Sequence, residues 1–121
     1  MEELTKLVLL VEDDVNIGEV LVQAITQETS YRALLKTNGA AALDAVRSVT
    51  PDLFILDYHL PRMTGIDLYD RLHAIEGLSH IPALMISARL PHHELTKRSI
   101  KGMNKPIDLD EFLQAIEHFL T

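Results

Sequence analysis

The 121-residue chain contains no cysteine, which excludes disulfides, thiolate zinc centres and cysteine nucleophiles and allows a reducing compartment. Glycine and proline are sparse, at five each, so a collagen-like repeat is excluded. Positive charge is also short. Eleven Lys+Arg stand against eighteen Asp+Glu, for a net charge of −7. Non-specific nucleic-acid binding draws its energy from Lys and Arg displacing counterions, so this balance argues against direct DNA binding. No apolar run approaches the roughly 20 residues a membrane span needs, and the start Met1-Glu2-Glu3 is acidic, unlike a signal peptide. The expectation is a soluble, cytoplasmic chain that makes no membrane contact. What remains, 47% hydrophobic and 24% charged residues, suits one globular domain over residues 1–121 that buries roughly two-thirds of its unfolded surface.

Branched apolar runs alternate with helical periods. The runs are Leu7 to Val11, Ala33 to Leu35, Leu53 to Leu56 and Ile81 to Ile86, with a weaker one from Ile100 to Met103. Between them, Ile17, Val20, Leu21, Ala24 and Ile25 share one helical face, as do Leu43, Val46 and Val49, then Leu68, Leu72 and Ile75. A last helix carries Leu109, Phe112, Leu113, Ile116 and Leu120, with Asp108 as its cap and Glu111 placed to complete a capping box. Continuous apolar strands alternating with helices predict an α/β fold, a doubly wound parallel sheet of five strands covered on both faces. In such a sheet ligands bind beyond the carboxyl ends of the strands.

Polar groups stand where the apolar runs stop: Glu12-Asp13-Asp14 after the first, Asp57 after the third, Ser87 after the fourth and Lys105-Pro106 after the fifth. Carboxylates brought within about 4 Å repel by several kcal/mol, so they bind protons or recruit a cation. A donor set of oxygens alone favours Mg²⁺. Lys105 and Ser87 supply the ammonium and hydroxyl that phosphoryl oxygens require. Each feature also has a plainer reading: Asp13 or Asp14 as a helix cap, Lys105-Pro106 as a turn, His92 and His93 as exposed loop residues, and His73, His80 and His118 as ordinary helix or loop residues.

The segments Leu-Val-Glu-Asp-Asp (10–14), Asp-Leu-Phe-Ile-Leu-Asp-Tyr-His-Leu-Pro-Arg-Met-Thr-Gly (52–65), Met-Ile-Ser-Ala (85–88) and Lys-Pro-Ile-Asp (105–108) resemble the receiver domain of two-component response regulators over essentially the whole chain. The resemblance implies a flavodoxin-like sheet of order 2-1-3-4-5. It implies Asp57 as phosphoacceptor from a phosphohistidine, and Mg²⁺ held by Glu12, Asp13, Asp57 and the backbone carbonyl of His59. Lys105 and Ser87 become the phosphate-binding lysine and the hydroxyl that swings towards the phosphoryl group. Pro106 would follow a cis peptide bond, and Gly65 and Pro61 fit the turn into the third helix. Side chains at the positions of His59 and Arg89 tune dephosphorylation in the family.

The implied partners are a sensor histidine kinase or phosphotransfer protein and a downstream protein target, with a homodimer also within the family's range. Such a module is not an enzyme beyond its own phosphorylation and dephosphorylation. Two departures stand out. Gly102 occupies the place, three residues before the lysine, where relatives carry an aromatic residue. The stretch from Ser87 to Lys105 is short, with Pro91-His92-His93 interrupting it, so the fourth helix should be short or irregular. Two other functions compete: a receiver fold that docks partners without phosphorylation, and a small-molecule phosphatase with an Asp nucleophile. The latter class usually has a second carboxylate two residues after the nucleophile, where this chain has His59. The sequence stops at Thr121, just after the last helical pattern, as expected of either a single-domain regulator or a receiver taken from a longer protein.

Overall fold

Burial on both faces is the first demand of a parallel sheet, and the apolar runs meet it. A computed structural model describes residues 5–121, and the acidic start Met1-Glu2-Glu3 lies outside the described residues. In chain order the elements are β1 (Leu7–Val11), α1 (Val15–Glu28), β2 (Arg32–Lys36), α2 (Gly39–Ala45), β3 (Leu53–Asp57) and the two-residue strands β4 (His59–Leu60) and β5 (Met63–Thr64). They continue as α3 (Gly65–His73), β6 (Ala83–Ser87), α4 (His92–Arg98), β7 (Lys101–Asn104) and α5 (Leu109–Leu120). The main sheet has the order β2-β1-β3-β6-β7, with every pairing parallel. This is the expected 2-1-3-4-5 order. The chain leaves β1 towards one edge and returns to its other side as β3, so the crevice of the fold opens beyond the ends of these two strands.

Side chains of successive strand residues point to opposite faces, and the two apolar cores follow that alternation. Leu9, Val11, Phe54, Leu56 and Met85 pack with Ala42, Leu68, Leu72 and Leu95 on one face. Val8, Leu10, Ile55, Leu84 and Ile86 pack with Leu21, Ile25, Phe112 and Ile116 on the other. Strands β1, β3 and β6 are buried throughout, whereas the edge strands β2 and β7 are partly open.

Some details differ from the sequence pattern. The second helix stops at Ala45, and Val46 is its C-cap. The chain tightens there through Arg47 N–H to Asp44 O and Ser48 N–H to Ala45 O, the short spacing of a final 3₁₀ turn. Asp108 caps α5 by accepting from the Glu111 N–H at 3.0 Å. The complete capping box stands instead at α3, where Thr64 and Asp67 satisfy each other's backbone N–H. The β4–β5 hairpin was not legible in the sequence; its tip places Arg62 at φ 68°. As expected, α4 is short, at seven residues. Pro91 gives it no side-chain cap, and it ends on left-handed Ser99. Arg98 ties it to α3 through a two-pronged pair with Asp70 at 2.7 and 2.8 Å, and those hydrogen bonds hold the Asp70 carboxyl below the usual carboxylate range.

Gly65 begins α3 against the strand end it must support. A Cβ there would lie 2.5 Å from the backbone oxygen of Asp57 and 2.7 Å from Met85 Sδ. The sulfur can move but the strand backbone cannot. Gly65→Ala is therefore expected to destabilise the fold by about 1–3 kcal/mol despite alanine's better helix propensity, measured as a lowered urea midpoint.

Candidate functional site

Where β1 and β3 end, their register brings two carboxylates together. Val11 pairs with Leu56, so Glu12 and Asp57 emerge side by side. Both are buried, with 1% and 2% of their surface exposed, while Asp13 is open to solvent. Each of the three offers an oxygen, and these oxygens lie within 4.8 Å of one another. Lys105 reaches them from the segment after β7, where its N–H bonds Ser87 O at 3.0 Å and the Lys105–Pro106 peptide is cis. Its ammonium donates to Asp57 Oδ2 at 2.9 Å and stands 3.0 Å from Glu12 Oε1.

Backbone N–H groups hold the other oxygens. His59 N–H donates to Asp57 Oδ1 at 3.0 Å, and Asp14 N–H donates to Glu12 Oε2 at 3.2 Å. Asp14's own side chain caps α1 by accepting from Asn16 and Ile17 N–H, so the capping reading of that residue is correct. Glu12 Oε1 is buried without an aligned hydrogen bond. Its closeness to Lys105 is an ion-pair contact.

The electrostatics follow from this crowding. Burial, reinforced by Asp57 alongside, pushes the Glu12 carboxyl up to about 7 against the opposing pull of Lys105 and the Asp14 N–H. Burial alone would lower the Lys105 ammonium, but its hydrogen bond to Asp57 and its ion pair with Glu12 outweigh that, and its pKa is raised. Among the described residues, one ammonium thus pairs with two of the three clustered carboxylates. At about 4 Å and an effective dielectric of about 20, each unrelieved pair costs about 4 kcal/mol. An all-oxygen cluster with surplus negative charge and a buried oxygen lacking a donor fits a hard divalent cation such as Mg²⁺.

Ser87 is on the same sheet edge but is not part of this constellation. Its hydroxyl, wholly buried, donates to Arg89 O at 2.9 Å and accepts from Arg89 N–H at 3.1 Å. His59 and Arg89 are exposed, and so are His92 and His93, which form the first turn of α4 rather than a loop. His73 is a structural residue, with its two ring nitrogens on the carbonyls of Tyr69 and Ile81. Two hollows flank the cluster. One, of about 580 Å³, is lined by Asp13, Tyr58, His59, Arg62 and Asp67 among others. The other, of about 680 Å³, is an apolar groove formed by Ile17, Val20, Leu21, Pro106 and Leu109 beside Lys105.

Sequence reasoning overlooked how Gly65 and the Asp14 N–H support the site. The glycine closing the Met63-Thr64-Gly65 segment was a usable signal for the first. A backbone donor leaves no trace in residue identity.

A family model described as the response regulator receiver domain matches residues 8–117. The polar-differentiation response regulator DivK of Brucella ovis is 28% identical over 121 residues, covering 97% of this chain and 98% of that protein. Hybrid signal transduction histidine kinase D of Dictyostelium discoideum is 25% identical over 119 residues, but this chain spans only 8% of its length. Among solved structures, the Vibrio cholerae chemotaxis protein CheY4 superposes with a TM-score of 0.87 at 22% identity, over 96% of this chain and 99% of that one, which shows the shared fold. A match covering nearly every element of the sheet and its helices means that the chain belongs to the response regulator receiver domain family of two-component signalling.

Proposed function

We propose that Asp57 accepts a phosphoryl group from the phosphohistidine of a sensor histidine kinase or phosphotransfer protein, and that the new charge switches a protein-binding surface. The observation that carries this reading is the buried Asp57 carboxylate held between the Lys105 ammonium and the His59 N–H. A carboxylate oxygen of Asp57 attacks phosphorus, the P–N bond to imidazole breaks, and its electron pair returns to the histidine nitrogen. Lys105 faces the charge that builds on the phosphoryl oxygens, and Ser87 has a hydroxyl to offer them. Glu12, Asp13, Asp57 and the carbonyl of His59 would hold Mg²⁺, which when bound screens the repulsion between nucleophile and phosphoryl oxygens. The apolar groove beside Lys105, with Val20 52% and Leu109 42% exposed, offers a protein donor a seat next to the nucleophile. No carboxylate follows two residues after Asp57, which disfavours small-molecule phosphatase chemistry.

Incubation with acetyl phosphate and Mg²⁺ should add one phosphoryl group to the intact mass of the protein and none to Asp57→Asn. Lys105→Ala should slow the gain by about 100-fold. No adduct with either acetyl phosphate or a phosphohistidine protein would leave phosphorylation-independent docking as the function, and sustained turnover of donor without an adduct would point to a phosphatase. Val20→Glu and Leu109→Glu should slow transfer from a phosphohistidine protein at least tenfold while leaving the rate with acetyl phosphate unchanged.

The cluster also makes stability depend on pH. A carboxyl raised on folding, as Glu12 is from 4.5 to about 7, contributes stability that is full below pH 4.5 and is lost as pH rises through 7. In chelator, the unfolding free energy should fall by on the order of 2 kcal/mol between pH 5 and 7.5, after allowance for solvent screening. Millimolar Mg²⁺ should restore it at pH 7.5 and do little at pH 5, and Glu12→Gln should flatten the chelator profile. Urea titrations across this range provide the check.

A further inference from the structure

Arg62 stands at the tip of the β4–β5 hairpin with its backbone at φ 68°, in the left-handed region that glycine and asparagine enter with least strain. The hairpin carries it beside the carboxylate cluster. Its first strand begins at His59, whose N–H holds Asp57, and its base is closed by the Gly65 N–H donating to Tyr58 O at 2.7 Å. Arg62 lines the hollow of about 580 Å³ described above and a second one of about 530 Å³, formed with Asp13, Thr37, Asn38 and Met63 among others. Asp13 is in both hollows, and neither has another Lys or Arg in its lining. Among the described residues no carboxylate forms an ion pair with Arg62, and the residue is exposed. Asp67, the other carboxylate of the larger hollow, already accepts from the Thr64 N–H.

We propose that Arg62 is a specificity-determining residue for the phosphodonor: its guanidinium draws the anionic phosphoryl group onto the site from the Asp13 side. This rests on the phosphoacceptor reading above. A phosphodonor is an anion and the chain carries a net charge of −7, so a sheet edge crowded with carboxylates repels it unless a cation is there to meet it. Lys105 is already paired with Glu12 and Asp57 and lines neither hollow. Arg62 has its charge free, and a guanidinium presents its N–H groups as a planar fork that matches phosphoryl oxygens two at a time. The left-handed backbone points the same way. An arginine where glycine would sit without strain is a side chain kept at a cost, and such outliers gather where side chains are used.

The test measures adduct formation on the full chain by intact mass at saturating Mg²⁺, across a range of acetyl phosphate and salt concentrations. Arg62→Gln should lower the rate per unit of donor by about tenfold, the low end of what a local charge gives to the capture of an anion. Arg62→Lys, which keeps the charge, should stay within about threefold of the unaltered protein. Arg62→Gly separates a donor role from a structural one: it suits the left-handed backbone and should not lower the urea midpoint, yet it should lose as much rate as Arg62→Gln. The deficit of Arg62→Gln should shrink as salt is raised, since the Debye length falls from about 30 Å at 0.01 M to about 8 Å at 0.15 M. Adduct formation at the unaltered rate in both Arg62→Gln and Arg62→Gly overturns the role of Arg62 while leaving Asp57 as phosphoacceptor. A loss in Arg62→Lys as large as in Arg62→Gln, or a deficit indifferent to salt, overturns charge as the cause. No adduct in the unaltered protein with acetyl phosphate or a phosphohistidine protein overturns the phosphoacceptor reading, and the role of Arg62 falls with it.

Discussion

Glu12 and Asp57 place two carboxyl groups out of water at neighbouring strand ends, and the Lys105 ammonium is the cation set against them. Burying like charges together costs several kcal/mol that the sheet has to offset. Deep apolar packing supplies that offset: β1, β3 and β6 are buried along their whole length, with a separate core on each face. The arrangement is locally unstable and globally secure. The remaining tension is chemically useful, because a cluster that prefers to gain a proton or a cation is already suited to hold Mg²⁺ against a phosphoryl group.

Support for the cluster comes mostly from backbone. Asp57 is steadied by His59 N–H, Glu12 by Asp14 N–H, and the strand end itself by the absence of a side chain at Gly65. These contacts lie at the topological switch between β1 and β3, where both strands are buried along their whole length. Away from it side chains carry more of the support: the short α4 lacks an N-terminal side-chain cap and is tied to α3 through Arg98.

Composition and periodicity were enough for the α/β class, because fully buried strands need unbroken apolar runs and covering helices need an apolar stripe. They were less informative about ends. The Leu43, Val46 and Val49 pattern continues past the point where α2 tightens into its last turn, since periodicity reports burial and is blind to hydrogen bonding. The β4–β5 hairpin escaped notice because two-residue strands are too short for any alternation to register. Glu111 had the right spacing for a capping box, yet the reciprocal pair formed at Thr64 and Asp67.

What the sequence by itself determined was which residues stand at the ends of the strands: Glu12, Asp13, Asp57, Ser87 and Lys105 each follow an apolar run, and a parallel sheet must bring such ends to one edge. Only the tertiary structure decided how they meet there. It buried Glu12 and left Asp13 open, aimed Lys105 at Asp57, and turned the Ser87 hydroxyl to Arg89. It also filled the hollow at Gly102 with leucines from a different segment. The physical reason is range: strand limits follow from local burial patterns, whereas a side chain's hydrogen-bond partner is chosen among groups up to 48 residues away along the chain, whose positions exist only once the sheet has closed.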